Sequence, residues 1–464
     1  MTFKNPSRSR WRVISLLLWV FNSGLTDGAP GAILPRVEKY YGINYSIVSL
    51  IWMSNAVGFI MIALLSHKLQ SWMGKRKIMS FGCLFQVVMY SMVSPGASFI
   101  LVVVGFFFGG VGSAIGLSQH NIFLSKFQDP SVVLGLYHGT YGIGATISPL
   151  IATSMVNAGV RWSYFYLILL GVTMANFFNI WLAFKGSDVD LKPWDNYDTS
   201  PSKSQDNSPV VTPTEESDKQ LTIVGNESTY TSEFIRVNSD PRDKDKESTT
   251  MTTETVEPVV PKGDLQLALK HIDTWVISFW VLFYQGAEVS LGGWVVTFLE
   301  DYRGGSQVST GYVASGLWGG VTVGRLCLTP LIHKYIGGKR GVFLLTCGTL
   351  VFAVLTWVVD SVIAEAVFVS VCGLCIGPMY PLMITVVTRV IPRKIQHISL
   401  TIMTAFGSSG GAIFPFIVGL VSQFTGTFVV MPFVLALFSG CATLWYMLSN
   451  PDRNVVNHWW QRVL

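Results

Sequence analysis

The chain is 464 residues long, half of its residues are hydrophobic and only 13% are charged, and its mean hydropathy is positive. This composition excludes a water-soluble globular protein and predicts an integral membrane protein. Basic loops at one membrane face account for the formal net charge of +5, so that charge does not indicate nucleic-acid binding.

Apolar stretches long enough to cross a bilayer recur along the chain. A spanning helix needs about 20 residues. Six such stretches precede a polar segment, at approximately 12 to 34, 46 to 66, 77 to 94, 97 to 122, 134 to 157 and 162 to 184. Six follow it, at approximately 274 to 299, 310 to 332, 341 to 360, 363 to 388, 397 to 421 and 427 to 448. The first lacks a small-residue cleavage site, which favours a membrane helix over a removed signal peptide.

Lys and Arg are concentrated in the loops on one side of the predicted membrane. They precede the first stretch and lie between the second and third, the eighth and ninth, and the tenth and eleventh. The opposite loops SPGA, NAGVRW and EDYRGG have few bases or balance them with acids. The positive-inside rule therefore predicts that both termini, tails 1–11 and 449–464, are cytoplasmic. We expect the plasma membrane rather than the vacuole or another endomembrane.

Residues 187–270 differ from the rest of the chain in composition. Ser, Thr, Asp, Glu and Pro dominate there and aromatic residues are scarce, so the segment cannot bury enough apolar surface to offset its chain entropy. We predict a disordered cytoplasmic linker between an N-terminal bundle, 12–186, and a C-terminal bundle, 271–448. A tether between the bundles is the expected role, and phosphorylation is an alternative.

The two groups of six stretches are related by an internal repeat. Gly24, Gly31 and Glu38 match residues 262 positions later, namely Gly286, Gly293 and Glu300. Because six is an even number, both copies have the same orientation and are related by an axis along the membrane normal. The predicted fold is therefore an all-α membrane protein with twelve transmembrane helices in two six-helix bundles, a parallel pseudo-twofold repeat. Substrate is expected between the halves, near the midplane.

Basic turns follow the second and eighth stretches. Their repeated residues are Gly74, Lys75, Arg76, Gly338, Lys339 and Arg340. The first turn resembles the G-x-L-x-D-R-x-G-R-K signature of the major facilitator superfamily, which implies a structural or gating role for these residues. His67, Ser71 and Trp72 stand where the signature has Gly, Asp and Arg, so the acid of its interhelical charge contact is missing.

Three segments, DGAPGAILP, LYHGTYGIGATISPL and GAEVSLGGWVVTFL, together resemble the fucose, glucose and galactose proton symporters, particularly their fungal members. The resemblance implies a secondary active transporter that works as a monomer by alternating access. It also implies proton-coupled uptake of a hexose or a similar small neutral solute. Two alternatives stay open, namely efflux of a drug or metabolite and a transporter-like nutrient receptor that signals through the linker.

Enzyme activity is not expected, because no nucleophile and base pair or metal-ligand spacing is found. Cys372 and Cys375 form a C-x-x-C, but no histidine or second cysteine pair is near, so we interpret them as small helix-packing residues. No cofactor or metal is therefore predicted.

Two acids in the middle of apolar stretches are the first candidates for the transport site. Asp27 lies about 15 residues into the first helix and Glu288 about 14 into the seventh, so both lie roughly 20 Å from the cytoplasmic side. A mid-span acid costs at least about 2.5 to 3.5 kcal/mol, so it should face a wet cavity or a partner. We expect both to bind protons or substrate. The alternatives are a helix-capping role for Asp27 and a structural role for Glu288.

Further polar and aromatic side chains complete the candidate site. Tyr284 shares a helix face with Glu288, and His138, whose imidazole can relay protons, shares one with Tyr141. Arg325 is expected to snorkel or to pair with an acid of another helix. The remaining candidates can contact sugar hydroxyls or sugar faces, or else pack between helices: Gln119, Asn121, Trp294, Trp318 and Tyr380.

Overall fold

The computed structural model describes residues 1–195 and 262–448, and in them the chain forms helices and turns without a β-strand. We number the long helical segments in chain order. The first six are α1 Ser9–Tyr41, α2 Leu50–Met73, α3 Lys75–Val93, α4 Phe99–Leu124, α5 Pro130–Asn157 and α6 Phe165–Ala183. The next six are α7 Ile272–Asp301, α8 in the consecutive pieces Gly311–Val323, Gly324–Leu328 and Thr329–Tyr335, α9 Gly338–Val358, α10 Val362–Val390, α11 Arg393–Thr425 and α12 Val430–Met447. The predicted all-α class is confirmed.

Seven helices of the described residues are long and apolar enough to cross a membrane. They correspond to α2, α4, α6 and α9 to α12. The other long segments, α1, α3, α5, α7 and α8, carry more glycine, polar residues or charge, which lowers their hydropathy. The chain is therefore a multi-pass membrane protein, and the count of twelve spans stays a prediction.

The two halves repeat the same helix neighbours. In the N-terminal half α1 packs along α5, and α4 packs against both α2 and α3; in the C-terminal half α7 packs along α11, and α10 against both α8 and α9. Repeat-related helices also begin alike: Ser98 caps α4 and Ser361 caps α10, each by accepting a backbone N–H with its hydroxyl. Two turns of the sequence thus specify equivalent helix starts in both halves.

Glycine allows the closest of these helix crossings. A Cβ atom at Gly24 of α1 would overlap the carbonyl oxygen of Tyr141 in α5, and one at Gly410 of α11 would overlap that of Leu282 in α7. Both crossings bring the backbones into contact, as small residues do in membrane helix pairs. They hold α1 and α7 firmly within their own halves.

We call the end of the molecule at which α1 begins the inner end, and the opposite end the outer end. Polar contacts between the halves are concentrated at the outer end. Arg36 of α1 pairs with Glu300 of α7 at 3.3 Å, and the Asn157 amide of α5 donates to the Val308 carbonyl oxygen at 2.9 Å. We call this region the outer seam. Aromatic packing continues it inward, where the rings of Trp52 and Trp294 lie 5.6 Å apart.

On the inner side of the outer seam, polar residues in mid-helix are accessible, and we call the space that they face the cavity. Asp27, in the middle of α1, is exposed, and so is His138, which lies nearer the inner end of α5. The glycine of α1 that faces α7 at the outer seam, Gly31, is buried. Contacts between the halves therefore close the outer end, whereas Asp27 stays accessible in mid-helix.

The predicted linker, 187–270, is helical at both edges although its composition predicts disorder. Short helices cover Ser187–Asp190, Lys192–Asp195 and Lys262–Lys270. Ion pairs tie these edges to the bundles: Asp190 lies 2.8 Å from the buried Arg12, and Asp264 lies 3.0 Å from Lys394. The rest of the predicted linker, residues 196–261, and the predicted tail 449–464 lie outside the described residues.

Candidate functional site

Asp27 contributes the carboxylate of the N-terminal half to the cavity. Its Oδ2 atom accepts a hydrogen bond of 2.9 Å from the Tyr141 hydroxyl of α5. The carboxylate is otherwise open to the cavity, since Asp27 is exposed although it lies in mid-helix. Asp27 therefore keeps lone pairs for a proton, water or a solute hydroxyl.

Glu288 contributes the carboxylate of the C-terminal half, and it is buried beside a cation. Only 5% of the residue is accessible, and its Oε1 atom lies 3.5 Å from an Arg325 guanidinium nitrogen. The Tyr284 hydroxyl lies within reach of both side chains and donates to the Ile376 carbonyl oxygen at 3.2 Å. Of the two roles that the sequence leaves open for Arg325, this contact corresponds to pairing with an acid of another helix.

A local widening of α8 presents Arg325 to Glu288. The helix makes a π-helical turn over Gly324–Leu328, and Arg325 is the second residue of that turn. The guanidinium Nε also donates to the Gly377 carbonyl oxygen of α10 at 3.3 Å. Because π-turns redirect side chains relative to a regular helix, this turn explains how the Arg325 guanidinium of α8 reaches Glu288 of α7.

Three aromatic rings stack beside Glu288 and include the ring of Tyr284. The Trp280 and Tyr284 rings are nearly parallel, 7° apart with centroids at 5.1 Å, and the Tyr380 ring follows at 6.2 Å. Tyr380 is half-buried, so this end of the stack borders the cavity. The stack restricts the Tyr284 hydroxyl to the position from which it can reach the carboxylate.

Charged and polar groups of the two halves interact with each other across the cavity. The Arg325 charge acts on His138 and on Tyr141 of α5, and Tyr141 also interacts with both acids. Hydrogen bonds, an ion pair, ring stacking and charge interactions therefore connect seven sequence-predicted residues across the two halves: Asp27, His138, Tyr141, Tyr284, Glu288, Arg325 and Tyr380.

Two amides of α4 lie apart from this group. Gln119 is buried and borders a narrow crevice at the inner end of the N-terminal half, beside Met79 and Phe184. Asn121 is half-buried, and its amide oxygen has no partner among the described residues. His120 between them is also buried, where its ring bonds the Tyr137 hydroxyl at 2.9 Å. The end of α4 thus packs mainly within its own half.

The two tryptophans among the candidates are buried, and Trp294 lies at the contact between the halves, against Trp52. Trp294 is fully buried, and its indole N–H donates to the Pro415 carbonyl oxygen at 2.9 Å. Trp318 is buried, and a Cβ atom at Gly292 would lie 3.1 Å from its ring. In this conformation both rings pack against protein rather than border the open cavity.

The basic turns bind groups within their own halves. Gly74 has a φ of +77°, and the backbone N–H of Lys75 donates to the Asp188 carboxylate at 2.8 Å. The Arg76 guanidinium lies 3.8 Å above the Trp181 ring. Asp188, beyond the sixth apolar stretch, thus supplies an acid where the signature acid is missing. The sequence signal for it is the pair of acids Asp188 and Asp190, which lie in the short segment after α6.

The repeated turn of the C-terminal half makes a similar contact. Gly337, with a φ of +89°, precedes α9, whose first residue is Gly338. The buried Lys339 ammonium donates to the Leu448 carbonyl oxygen at 2.9 Å, and Arg340 is half-buried. These residues tie the start of α9 to the end of α12.

Three polar residues of the outer seam are not among the site residues predicted from the sequence. Arg36 and the Thr310 hydroxyl both bind Glu300, the hydroxyl at 2.8 Å. The Tyr45 hydroxyl donates to Asp301 across the seam. Arg36 and Tyr45 lie just outside the predicted apolar stretches, and Thr310 is the first residue of one. Polar side chains are ordinary at such positions, so the sequence offers no signal that separates them from loop residues.

Two repeated helical halves in a multi-pass membrane protein, with polar residues in mid-helix, are typical of membrane transporters. A family model described as Major Facilitator Superfamily matches residues 16–415. The chain belongs to the major facilitator superfamily, so it is a secondary transporter and not an enzyme. No group of His, Cys, Asp and Glu in the described parts of the chain could hold a metal ion.

Named relatives and solved structures agree with this assignment. The chain is 24% identical over 430 residues to Bypass of stop codon protein 6 of Saccharomyces cerevisiae, covering 89% of this chain and 78% of the relative. A crystal structure of a mutant of the nucleoside transporter NupG matches with a TM-score of 0.63, 11% identity, and coverage of 95% of this chain and 98% of the other. A bacterial homologue of the human lysosomal transporter Spinster, inward-facing and unoccupied, matches with a TM-score of 0.65, 10% identity, and coverage of 96% and 97%. At these identities the structures show the shared fold alone.

Proposed function

We propose that the protein takes up a hexose or a similar small neutral solute together with a proton. One observation supports the proposal: Tyr141 donates to Asp27 of one half and also interacts with the charges of the Glu288–Arg325 pair of the other half. Such a site changes its surroundings whenever the halves rock, and a carboxylate that alternates between wet and dry surroundings alternates in proton affinity.

The charge of the site favours a neutral solute carried with one proton. Two carboxylates and one guanidinium leave one net negative charge when both acids are ionised. One proton makes the site neutral, which removes the cost of moving a net charge through the low-dielectric protein during the transition. A neutral polyol then adds no charge, and its hydroxyls can donate to Asp27 and accept from Arg325.

The proton-binding acid is proposed to be Asp27 first and Glu288 second. Asp27 has one neutral hydrogen-bond donor, Tyr141, whereas Glu288 has a cation at 3.5 Å that favours its ionised form. His138, exposed nearer the inner end, is placed to pass a proton from this region to water. Tyr380, which is half-buried, would contact the solute from the C-terminal half, and the buried Tyr284 would orient the Glu288 carboxylate.

Topology and location are part of the proposal. The basic loops place the inner end in the cytoplasm, so the described conformation, closed at the outer end, is the one that releases solute inward. We propose both termini cytoplasmic, the plasma membrane as the location, a monomer as the working unit, and residues 196–261 as a tether. Efflux driven by the same proton gradient would need exchange of the solute for a proton, and no described contact favours it.

Reconstituted protein tests the proposal directly. Uptake of labelled hexoses, a polyol and a nucleoside is measured in proteoliposomes with and without an imposed pH gradient. We expect gradient-driven accumulation of one of the neutral sugars or polyols. Asp27→Asn and Glu288→Gln should lose that accumulation and keep exchange of labelled for unlabelled solute, because exchange needs no net proton movement.

Asp360→Asn provides the matched control, because this outer acid is exposed and pairs with Arg303 away from the cavity. It should accumulate solute as the wild type does. Full accumulation by both cavity variants would refute the proton assignment. Transport of the nucleoside but of no sugar would refute the solute class and leave the proton assignment standing.

A further inference from the structure

The outer seam contains a pair of acids that the internal repeat makes equivalent. Glu38 of α1 and Glu300 of α7 are separated by 262 positions, the same offset as the glycines of the repeat. Glu38 lies four residues beyond the predicted apolar stretch 12–34, and Glu300 one residue beyond 274–299. Since a two-fold axis along the membrane normal relates α1 to α7, it brings these two carboxylates to face each other when the outer end closes.

The two acids have very different partners. Glu300 is bound by the Arg36 guanidinium at 3.3 Å and by the Thr310 hydroxyl at 2.8 Å. Glu38 is half-buried, and its Oε1 atom is buried without a hydrogen-bond partner among the described residues. One cation is therefore supplied for two equivalent acids, and Glu300 holds it.

Charged and titratable groups approach Glu38 from α7, from the segment between α1 and α2, and from α1 itself. From α7 come Glu300 and Asp301, which both repel its negative charge. Tyr45, in the segment between α1 and α2, directs its hydroxyl to Asp301 instead. On α1 itself, the Arg36 guanidinium extends across the seam, where it donates to Glu300 and, at 2.8 Å, to the Gln307 carbonyl oxygen. No described cation is directed at Glu38.

We propose that Glu38 is a proton-binding site of the outer seam, which takes up a proton from the outer side when the seam closes and returns it there when the seam opens. Like charges held together in a partly dry site cannot both stay ionised, so one of them takes a proton. Glu38 is the one, because Glu300 has the cation. This proton is separate from the transported one, since it never reaches the cavity.

The pH window follows from the two states of the seam. Burial first, and then the charges of Asp301 and Glu300, raise the pKa of Glu38 to about 8 in the closed seam. In an open seam water surrounds the side chain, and its pKa should approach the ordinary value of about 4.3. The closed state therefore binds the extra proton between these values. Closure is favoured as the pH falls through this window and weakened as it rises toward about 8, by up to about tenfold per pH unit in the ratio of closed to open molecules.

Spin-label distances across the seam test the proposal on the full chain in lipid nanodiscs. Labels are placed at Val160 and Val308, which are exposed in outer loops of the two halves, after replacement of the native cysteines. Distances are recorded from pH 5 to pH 9 with the same pH on both sides. Asp360→Asn is the matched control, an exposed outer acid that pairs within its own half.

The wild type and Asp360→Asn should shift from the long to the short distance on acidification, with a midpoint inside the window. Glu38→Gln, a neutral isostere, should keep the short distance at both ends of the range. Retention of the wild-type response by Glu38→Gln would overturn the proposal, as would a wild type without any response. The double variant Asp27→Asn with Glu288→Gln should keep the outer response, so failure of the transport proposal leaves a distinct result. If only that double variant loses the response, the proton binds in the cavity and the seam site is refuted.

Discussion

The crossing of α1 and α7 at the outer seam provides the sharpest prediction. Gly31 of α1 contacts Gly292 of α7, so the two halves meet there through bare backbone. A methyl group at Gly31 would overlap the Gly292 carbonyl oxygen, and would lie 3.3 Å from its carbonyl carbon and 3.8 Å from the Ala314 Cβ atom. The added group has backbone on one side, which cannot turn away as a flexible side chain can.

The size of the effect follows from this overlap. Favourable carbon contacts lie at about 3.5 to 4.0 Å, so the helices must separate before the methyl group fits. Overpacking of this kind costs about 1 to 3 kcal/mol. The contact exists only while the outer seam is closed, so the cost falls on the closed state and lowers the ratio of closed to open molecules roughly 5- to 150-fold.

The spin labels at Val160 and Val308 measure that ratio at fixed pH. Gly31→Ala should increase the long-distance population and slow uptake, while the protein stays monodisperse and unfolds at about the wild-type temperature. Gly171→Ala is the matched control, because a Cβ atom at Gly171 in α6 would meet no atom within 4 Å. An unchanged distance distribution in Gly31→Ala would refute the claim that this crossing closes the seam.

Two other contacts yield predictions of stability. Arg325→Gln leaves Glu288 buried without its cation and should lower the free energy of unfolding by about 1 to 3 kcal/mol. Addition of Glu288→Gln should restore most of this loss, as measured by thermal unfolding. A double variant as unstable as the single one would contradict the pairing. Asp188→Ala removes the acceptor of the Lys75 N–H at the start of α3 and should lower the free energy of unfolding by about 1 kcal/mol. Asp129→Ala should not lower it, because Asp129 precedes α5 without a side-chain cap. Equal unfolding temperatures for the two variants would rule out the cap.

The helices were predictable because hydropathy and local backbone signals agree. The first predicted stretch, 12–34, lies within Ser9–Tyr41, and the helix extends further because RVEKYY stays helical until Gly42, whose φ is +62°. The π-turn of α8 was not predictable, since a hydropathy pattern reports which residues are apolar and not how the backbone winds. That turn sets the direction of Arg325, so its partner could be predicted only as an unspecified acid.

The candidate site divides in the same way. The repeat places Asp27 and Glu288 at matching depth, because sequence offset and rise per residue determine depth along a helix. Contacts such as Tyr141 with Asp27, or Arg36 with Glu300, depend on helix rotation and on which end of the molecule is closed. Neither is encoded in a local pattern, so the cavity acids were predictable and the outer seam was not.

Duplication of one half creates a problem that the observed contacts resolve. Equivalent acids near a two-fold axis approach each other, and identical partners would leave no preference for which one binds a proton. In the cavity one acid has a hydroxyl and the other a guanidinium; at the outer seam Glu300 has Arg36, and Glu38 has no described partner. Each unequal pair lets one proton bind at a defined residue while its counterpart stays charged. We infer that unequal partners, rather than the acids themselves, decide which residue of each pair binds the proton.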